Sequence, residues 1–325
     1  MRVLVTGATG FVGARTAERF LALGHEVHAL VRTPGTAPAG TREVVGDLAA
    51  VERFADRLRG IDAVVHAAAL VEPLPPGQSV DLINRAATIE LARAARAAGA
   101  RGFVFVSSVM AIGFRPRAGL VGVDVACRPA TPYGESKWRA ELELAALAGS
   151  GLRVAIVRPP TVYGRGDTRG NFLALARAVD TGWFAVPGPG DNRMSFCHID
   201  NLVEVLRLAA ERDDATGIFH AADEPVALRE VAERVARELG ASLVPVPFPR
   251  PVAYAAAGAL ELWGRLSGRT PPLTRRRLAT IVSDFALDPA RLSQLGYRPI
   301  TGFAAGVADA IAWYREQGLL RPRSG

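Results

Sequence analysis

Arg2-Val3-Leu4-Val5-Thr6-Gly7-Ala8-Thr9-Gly10-Phe11-Val12-Gly13 runs a β-branched strand straight into a glycine turn and the opening of a helix. Glycine permits the tight turn, lets backbone approach a bound group and lets helix pack close to strand. The helix N-terminus adds unpaired N–H groups and partial positive charge, which suits a phosphate. The spacing is Gly-x-x-Gly-x-x-Gly, not the commoner Gly-x-Gly-x-x-Gly. Placed between a first strand and a first helix, it predicts a dinucleotide-binding turn.

Working outward, short β-branched runs alternate with longer Ala/Leu/Arg segments of helical period. Candidate strands are Val3-Thr6, Val27-Val31, Glu43-Val45, Ala63-His66, Phe103-Ser107 and Arg153-Val157. Between them lie the candidate helices Phe11-Leu23, Val51-Leu58, Val80-Ala98 and Ser136-Ala148. This alternation predicts an α/β fold, a Rossmann-type doubly wound parallel sheet, with ligands beyond the carboxyl ends of the strands. After Arg158-Pro159-Pro160, Gly and Pro become frequent and strands sparse, with a last sheet strand at Gly217-His220. The helices Leu228-Leu239, Val252-Leu266, Leu273-Ile281 and Phe303-Gln317 follow. The expected division is a nucleotide domain over 1–163, completed by about 193–222, and a smaller, mostly helical substrate lobe from 164–192 and 223–325.

The net charge is +7, but the arginines are scattered among Asp and Glu, and the densest run is Arg275-Arg276-Arg277. No nucleic-acid-reading motif accompanies them, so the charge is read as a solvated surface and no nucleic-acid partner is expected. Cys127 and Cys197 stand far apart without ligand-like neighbours, which points to a reducing compartment and no metal site. Met1 runs directly into the first strand, and the longest apolar stretch, Val252 to Leu266, is broken by Glu261 and Arg265. A cytoplasmic protein with no integral membrane segment is expected.

The second strand ends at Arg32, where an acidic residue would bind ribose hydroxyls and favour NAD. An arginine suits a 2′-phosphate, so NADP is preferred over NAD. Gly46-Asp47-Leu48 follows the third strand, where the carboxylate can accept from an adenine amino group. His66 is followed by Ala67, Ala68 and Ala69, small residues that leave room for a cofactor. His66 itself has no evident carboxylate partner and is read as a packed core histidine.

Of 39 Lys+Arg residues only Lys137 is lysine, one helical turn beyond Tyr133 in Thr131-Pro132-Tyr133-Gly134-Glu135-Ser136-Lys137. A site that keeps lysine in so arginine-rich a chain needs a compact ammonium rather than a planar fork. Such a cation can bring a tyrosine from its reference value near 10 towards neutrality and also reach a ribose. Tyr133 would then be acid or base to a substrate oxygen during hydride transfer, with Ser108, at the end of the fifth strand, as second donor.

These residues resemble the extended short-chain dehydrogenase/reductase superfamily. The resemblance spans TGATGFVG at 6–13, GDL at 46–48, VVHAAA at 64–69, Asn84 with Thr88, and FVFVSS at 103–108. It continues through PYGESK at 132–137, RPPTVYG at 158–164, FCHIDNL at 196–202 and LGYRP at 295–299. It implies Tyr133, Lys137 and Ser108 as catalytic residues. It implies Gly7, Thr9, Gly10, Phe11, Val12, Gly13, Arg32, Asp47, Leu48, Ala67, Ala68, Ala69 and Asn84 as cofactor residues, together with Tyr133 and Lys137. Asn84 also fits a residue that only caps or packs its helix.

Many sugar-nucleotide epimerases and dehydratases of this superfamily carry an acidic residue where Arg32 stands. They also have an Arg and a Tyr just before a His-Val-x-Asp segment. Here that segment reads Arg193-Met194-Ser195-Phe196-Cys197-His198-Ile199-Asp200-Asn201, closer to the 3β-hydroxysteroid dehydrogenase and dihydroflavonol reductase-like branch. The apolar run Pro245-Val246-Pro247-Phe248-Pro249 and the Ala/Leu/Trp helix to Trp263 point the same way, towards an apolar alcohol or ketone. That helix equally fits one that packs the lobe's own core. The alternatives are an NDP-sugar epimerase or dehydratase with tightly bound NAD, and a nucleotide-sensing protein without catalysis. The resemblance also implies a homodimer through Val80-Ala98 and Ser136-Ala148, although their alternating Ala and Arg fit solvent-facing helices too.

Overall fold

Central strands that are apolar at every position must be covered on both faces, and that requirement builds this molecule. The computed structural model describes residues 1–71, 79–113, 119–149, 151–182, 184–244, 249–269, 271 and 274–321, without the side chains of 276 and 277. Thirteen strands are present among them: β1 (Arg2–Thr6), β2 (Glu26–Val31), β3 (Arg42–Val45), β4 (Ala63–His66), β5 (Gly102–Val106), β6 (Leu120–Val121), β7 (Arg153–Arg158), β8 (Thr161–Tyr163), β9 (Arg193–Met194), β10 (Phe196–His198), β11 (Gly217–His220), β12 (Val226–Ala227) and β13 (Ala286–Leu287). Seven of these form one sheet in the order β11-β7-β5-β4-β1-β2-β3. All its pairs are parallel, for example Thr6 beside Leu30 and His66. The order reverses between β1 and β4, the switch point at which dinucleotides bind in such sheets.

The helices are α1 (Phe11–Ala22), α2 (Ala87–Ala97), α3 (Pro132–Leu147), α4 (Asn171–Asp180), α5 (Ile199–Glu211), α6 (Leu228–Leu239), α7 (Arg250–Ser267), α8 (Arg275–Ile281) and α9 (Phe303–Glu316). On one face of the sheet Val3, Val5, Val65 and Val157 pack with Phe20 of α1 and Leu206 of α5. On the other, Leu4, Val64, Phe103 and Phe105 pack with Leu91 of α2 and Leu144 of α3. Each such side chain contributes about 1.5–3 kcal/mol on burial. A third cluster joins Phe172 and Val179 of α4, Val231 and Val235 of α6 and Val307 and Tyr314 of α9.

Where the elements depart from expectation, the reasons are local. The helix expected at Val51-Leu58 is two 3₁₀ turns, Leu48–Arg53 and Ala55–Leu58. Ala50 is non-helical at φ −146°, and Phe54 is tucked so tightly under Gly46 that a Cβ there would meet its ring at 2.4 Å. The expected Val80-Ala98 helix carries a π turn at Leu82–Ala86 before α2 begins. The helix bearing Lys137 starts at Pro132 rather than Ser136, because Thr131 caps it with a bond from Gly134 N at 2.9 Å and Pro132 needs no N–H there. Residues 245–248 of the proline-rich run and Leu273 lie outside the described residues.

The turn after β1 depends on two glycines. Gly7 has φ +66°, and a Cβ on it would lie 2.8 Å from Ala68 N. A Cβ on Gly13 would lie 2.2 Å from Gly7 O, so α1 packs on the turn only because Gly13 has none. Gly13→Ala is expected to destabilise the fold by about 1–3 kcal/mol through this overpacking. A urea midpoint equal to that of the parent would contradict the account.

Candidate active site

Gly10 caps α1 without a side-chain bond, and no acidic residue stands in the first turn. The opening amides of α1 are thereby left for an anion. Thr9 and Gly10 are exposed, while Phe11 and Val12 are half-buried and Gly13 buried. Ala67, Ala68 and Ala69 line the opposite side, half-buried, where β4 ends. The open turn, free helix end and small residues fit a dinucleotide pyrophosphate.

Arg32 is exposed at the end of β2 and bonds to no described residue. Asp47 is also exposed, but its carboxylate accepts from Ala49 N at 3.0 Å and so caps the 3₁₀ turn that contains Leu48.

His66 is fully buried between two threonines, Nδ1 2.7 Å from Thr6 Oγ1 and Nε2 2.8 Å from Thr88 Oγ1. Thr88 donates onward to Asn84 O at 2.9 Å, so Nε2 carries the ring proton and Nδ1 accepts. Burial, reinforced by the Lys137 charge, holds the imidazole down at about 3. It is a neutral strut in the core. Asn84 is equally buried, in the π turn: Oδ1 accepts from Leu70 N at 2.8 Å and Nδ2 donates to Leu70 O at 2.9 Å and Ser136 Oγ at 3.2 Å. Its amide fastens the loop after β4 to α3.

At the reacting end, Ser108 caps the 3₁₀ turn Val109–Ala111, accepting from Met110 N at 3.1 Å. α3 sits directly on this turn, because a Cβ on Gly134 would come within 2.4 Å of Met110 O. That approach brings Tyr133, in the first turn of α3, beside Ser108, whose hydroxyl lies close enough to pull on the phenol. Lys137 is buried, donates to Val106 O at 2.8 Å and lies 4.5 Å above the Phe105 ring.

The expected acidification of Tyr133 by Lys137 is not what this arrangement produces. Burial raises the phenol above its ordinary value, and the opposing pull comes from the Ser108 hydrogen bond. Burial also brings the Lys137 ammonium down to about 7, opposed by Glu141 one turn further along α3. A lysine stripped of water in the core gives up much of its charge before it can acidify a neighbour, even with a carbonyl and an aromatic face to hold it.

Glu141 escaped the sequence reading. Tyr133, Lys137 and Glu141 recur every four residues, so a single face of α3 carries all three. Glu141 meets Arg158, the last residue of β7, through Nη2–Oε2 at 2.6 Å and Nε–Oε1 at 2.9 Å, both side chains buried. Ser107 donates to the same carboxylate. The i, i+4 spacing after Lys137 was the available signal for Glu141; Arg158 is legible only from the sheet.

A parallel sheet with its glycine turn at the switch point, and Ser108, Tyr133 and Lys137 beyond neighbouring strand ends, is the arrangement of an NAD(P)-dependent short-chain dehydrogenase/reductase. The chain belongs to the NAD dependent epimerase/dehydratase family, whose model matches residues 3–222. It is similar to a 4-hydroxy-2-methyl-3-oxo-4-farnesyl-3,4-dihydroquinoline-1-oxide ketoreductase of Stigmatella aurantiaca, at 32% identity over 84% of each chain. It is similar to a UDP-glucose 4-epimerase of Vibrio cholerae, at 30% identity over 84% of each chain. Among solved structures, MoeE5 in complex with UDP-glucose and NAD superposes with a TM-score of 0.71 at 28% identity, covering 98% of this chain and 99% of that one.

Two measurements test the electrostatics. The folded value of Lys137 lies below its ordinary 10.5, so the unfolded chain binds that proton more tightly between about pH 7 and 10.5. Parent stability relative to Lys137→Met is therefore expected to rise with pH across this window, by at most about 1.4 kcal/mol per pH unit. A flat difference in denaturation free energy would refute the burial cost. Glu141→Gln strips Arg158 of its counter-charge and is expected to cost about 3–5 kcal/mol; a loss below 1 kcal/mol, about that of an exposed pair, would contradict it.

Proposed function

We propose that the protein is an NADP-preferring oxidoreductase that interconverts a secondary alcohol and a ketone, on an apolar substrate. The observation that carries this reading is the buried Lys137, held on Val106 O at 2.8 Å one helical turn beyond Tyr133, with Ser108 beside the phenol. Bound NAD(P) would supply or accept the hydride. Tyr133 holds its proton because burial disfavours the phenolate, which suits a general acid that protonates a developing alkoxide in the direction of reduction. Ser108 provides a second hydroxyl for the same oxygen and for the phenolate that forms. Lys137 holds the ribose while Val106 O fixes its position. Gly7, Thr9, Gly10, Phe11, Val12, Gly13 and Ala67 to Ala69 cradle the pyrophosphate. Leu48, Asp47 and Asn84 complete the cofactor side, Asn84 by shaping the loop rather than through a free amide.

Exposed Arg32, without an ion pair among the described residues, supports a 2′-phosphate partner. The ketoreductase relative and a 2-alkyl-3-oxoalkanoate reductase relative from Stenotrophomonas maltophilia, 29% identical over 94% of this chain, support the ketone reading. Residues 164–192 and 223–325 serve as the substrate lobe, over a nucleotide domain of 1–163 completed by about 193–222. Exposed Leu82 and Leu142, on the two helical segments expected to pair, support a homodimer.

The competing reading, a UDP-sugar epimerase, draws on the UDP-glucose relatives. NADPH oxidation with ketones of increasing alkyl length, set against epimerisation of UDP-glucose without net cofactor use, separates the two. Tyr133→Phe is expected to lower kcat by about 10²–10⁴-fold with NADPH affinity intact. Arg32→Asp is expected to move preference towards NADH. Unchanged turnover in the first variant removes Tyr133 from the chemistry, and unchanged preference in the second removes Arg32 from the phosphate.

A further inference from the structure

α7, RPVAYAAAGALELWGRLS at Arg250–Ser267, is attached by a narrow strip of small residues. Ala253, Ala257 and Gly264 are its buried positions, and Ala253 and Ala257 pack with Leu278 of α8. A Cβ on Gly264 would lie 2.8 Å from Arg269 O, so the chain folds back tightly on that side. Away from this strip, Val252, Ala255, Ala256, Ala259, Leu262, Trp263 and Leu266 are all exposed. Their spacing places them within about a third of the helix circumference. Leu266 is 81% exposed, Leu262 57%, Val252 49% and Trp263 45%. The Ala/Leu/Trp helix therefore does not spend its larger apolar side chains on the lobe's own core, and an ordinary soluble surface does not gather four of them on one ridge.

Charge says what covers the ridge. From 250 to 283 the chain carries six arginines and a single acidic residue, Glu261, which is engaged by Arg275 through its backbone N at 2.8 Å and Nε at 3.3 Å. Arg265 and Arg269 are exposed, whereas the Arg250 side chain packs back against Gly188. Two such ridges facing each other would bring arginine against arginine, which disfavours a second copy of this chain. An anionic lipid surface complements them, with the guanidinium groups at phosphate level, the leucines among the acyl chains and Trp263 at the boundary. None of the helices formed by the described residues is long and apolar enough to cross a membrane, so α7 would lie in the surface plane.

We propose that α7 docks the protein on anionic phospholipid bilayers through Val252, Leu262, Trp263 and Leu266, with Arg265 and Arg269 at its carboxyl end. The test is flotation of the full chain with vesicles of phosphatidylcholine mixed with phosphatidylglycerol, and with phosphatidylcholine alone. The expected result is recovery with the anionic vesicles only, weakened by salt and reduced at least about tenfold in the double variant Leu262→Asp/Leu266→Asp. Both positions are exposed, so an unchanged melting temperature is expected to show that the variant is folded. No recovery with anionic vesicles overturns the proposal, as does equal recovery of the double variant, which would mean adsorption by surface charge alone. A parent dimer that the double variant converts to monomer, without vesicle binding, would assign the ridge to a second copy and overturn it as well.

Discussion

The reacting half of the crevice hangs on the buried pair of Glu141 and Arg158. It is the only doubly hydrogen-bonded ion pair among the described residues with both side chains as little as 3% exposed, and it ties the middle of α3 to the carboxyl end of β7. Ser107, just beyond β5, donates to the same carboxylate. Two strand ends and one helix are thus fixed about a single group. Such pairs add little net stability over apolar residues of the same volume, but they tolerate very few arrangements. Here the tolerated one sets α3 so that Tyr133 reaches Ser108 and Lys137 reaches Val106.

Much of this was legible in the residues, for reasons that differ from place to place. The turn at 6–13 could be read because its constraint is local: a positive φ at Gly7 and a missing Cβ at Gly13 are properties of the chain itself. The strand Ala63–His66 could be read because a central strand buried on both faces is a nearly continuous apolar run. The helix bearing Lys137 starts one turn earlier than its period suggests, because the apolar period becomes regular only beyond Ser136 while its start depends on the Thr131 cap. Tyr133 and Lys137 were found through composition and spacing.

What stayed hidden depended on long-range contact. The 3₁₀ turns at 48–58 come from Phe54 seated under Gly46, which no local pattern encodes. Arg158 acquires its partner only when α3 crosses β7. The pKa order of Tyr133 and Lys137 follows from burial rather than from their separation along the helix, so spacing alone gave the wrong sign for the phenol. Periodicity likewise shows that α7 has an apolar face without saying where that face points.

The buried polar chain from the cofactor side to α3 has a consequence of its own. Ala68 N–H donates to Thr6 and Thr6 to His66, which donates to Thr88, and Thr88 to the Asn84 carbonyl. From the Asn84 amide the bonds continue through Ser136 to Tyr133 O. Each donor is committed in one direction, and an imidazole held at about 3 takes up no second proton near neutrality. The chain therefore carries position from one end of the crevice to the other while acting as an insulator. It ends at the Tyr133 carbonyl rather than at the hydroxyl, so this chain positions the phenol without draining protons from it.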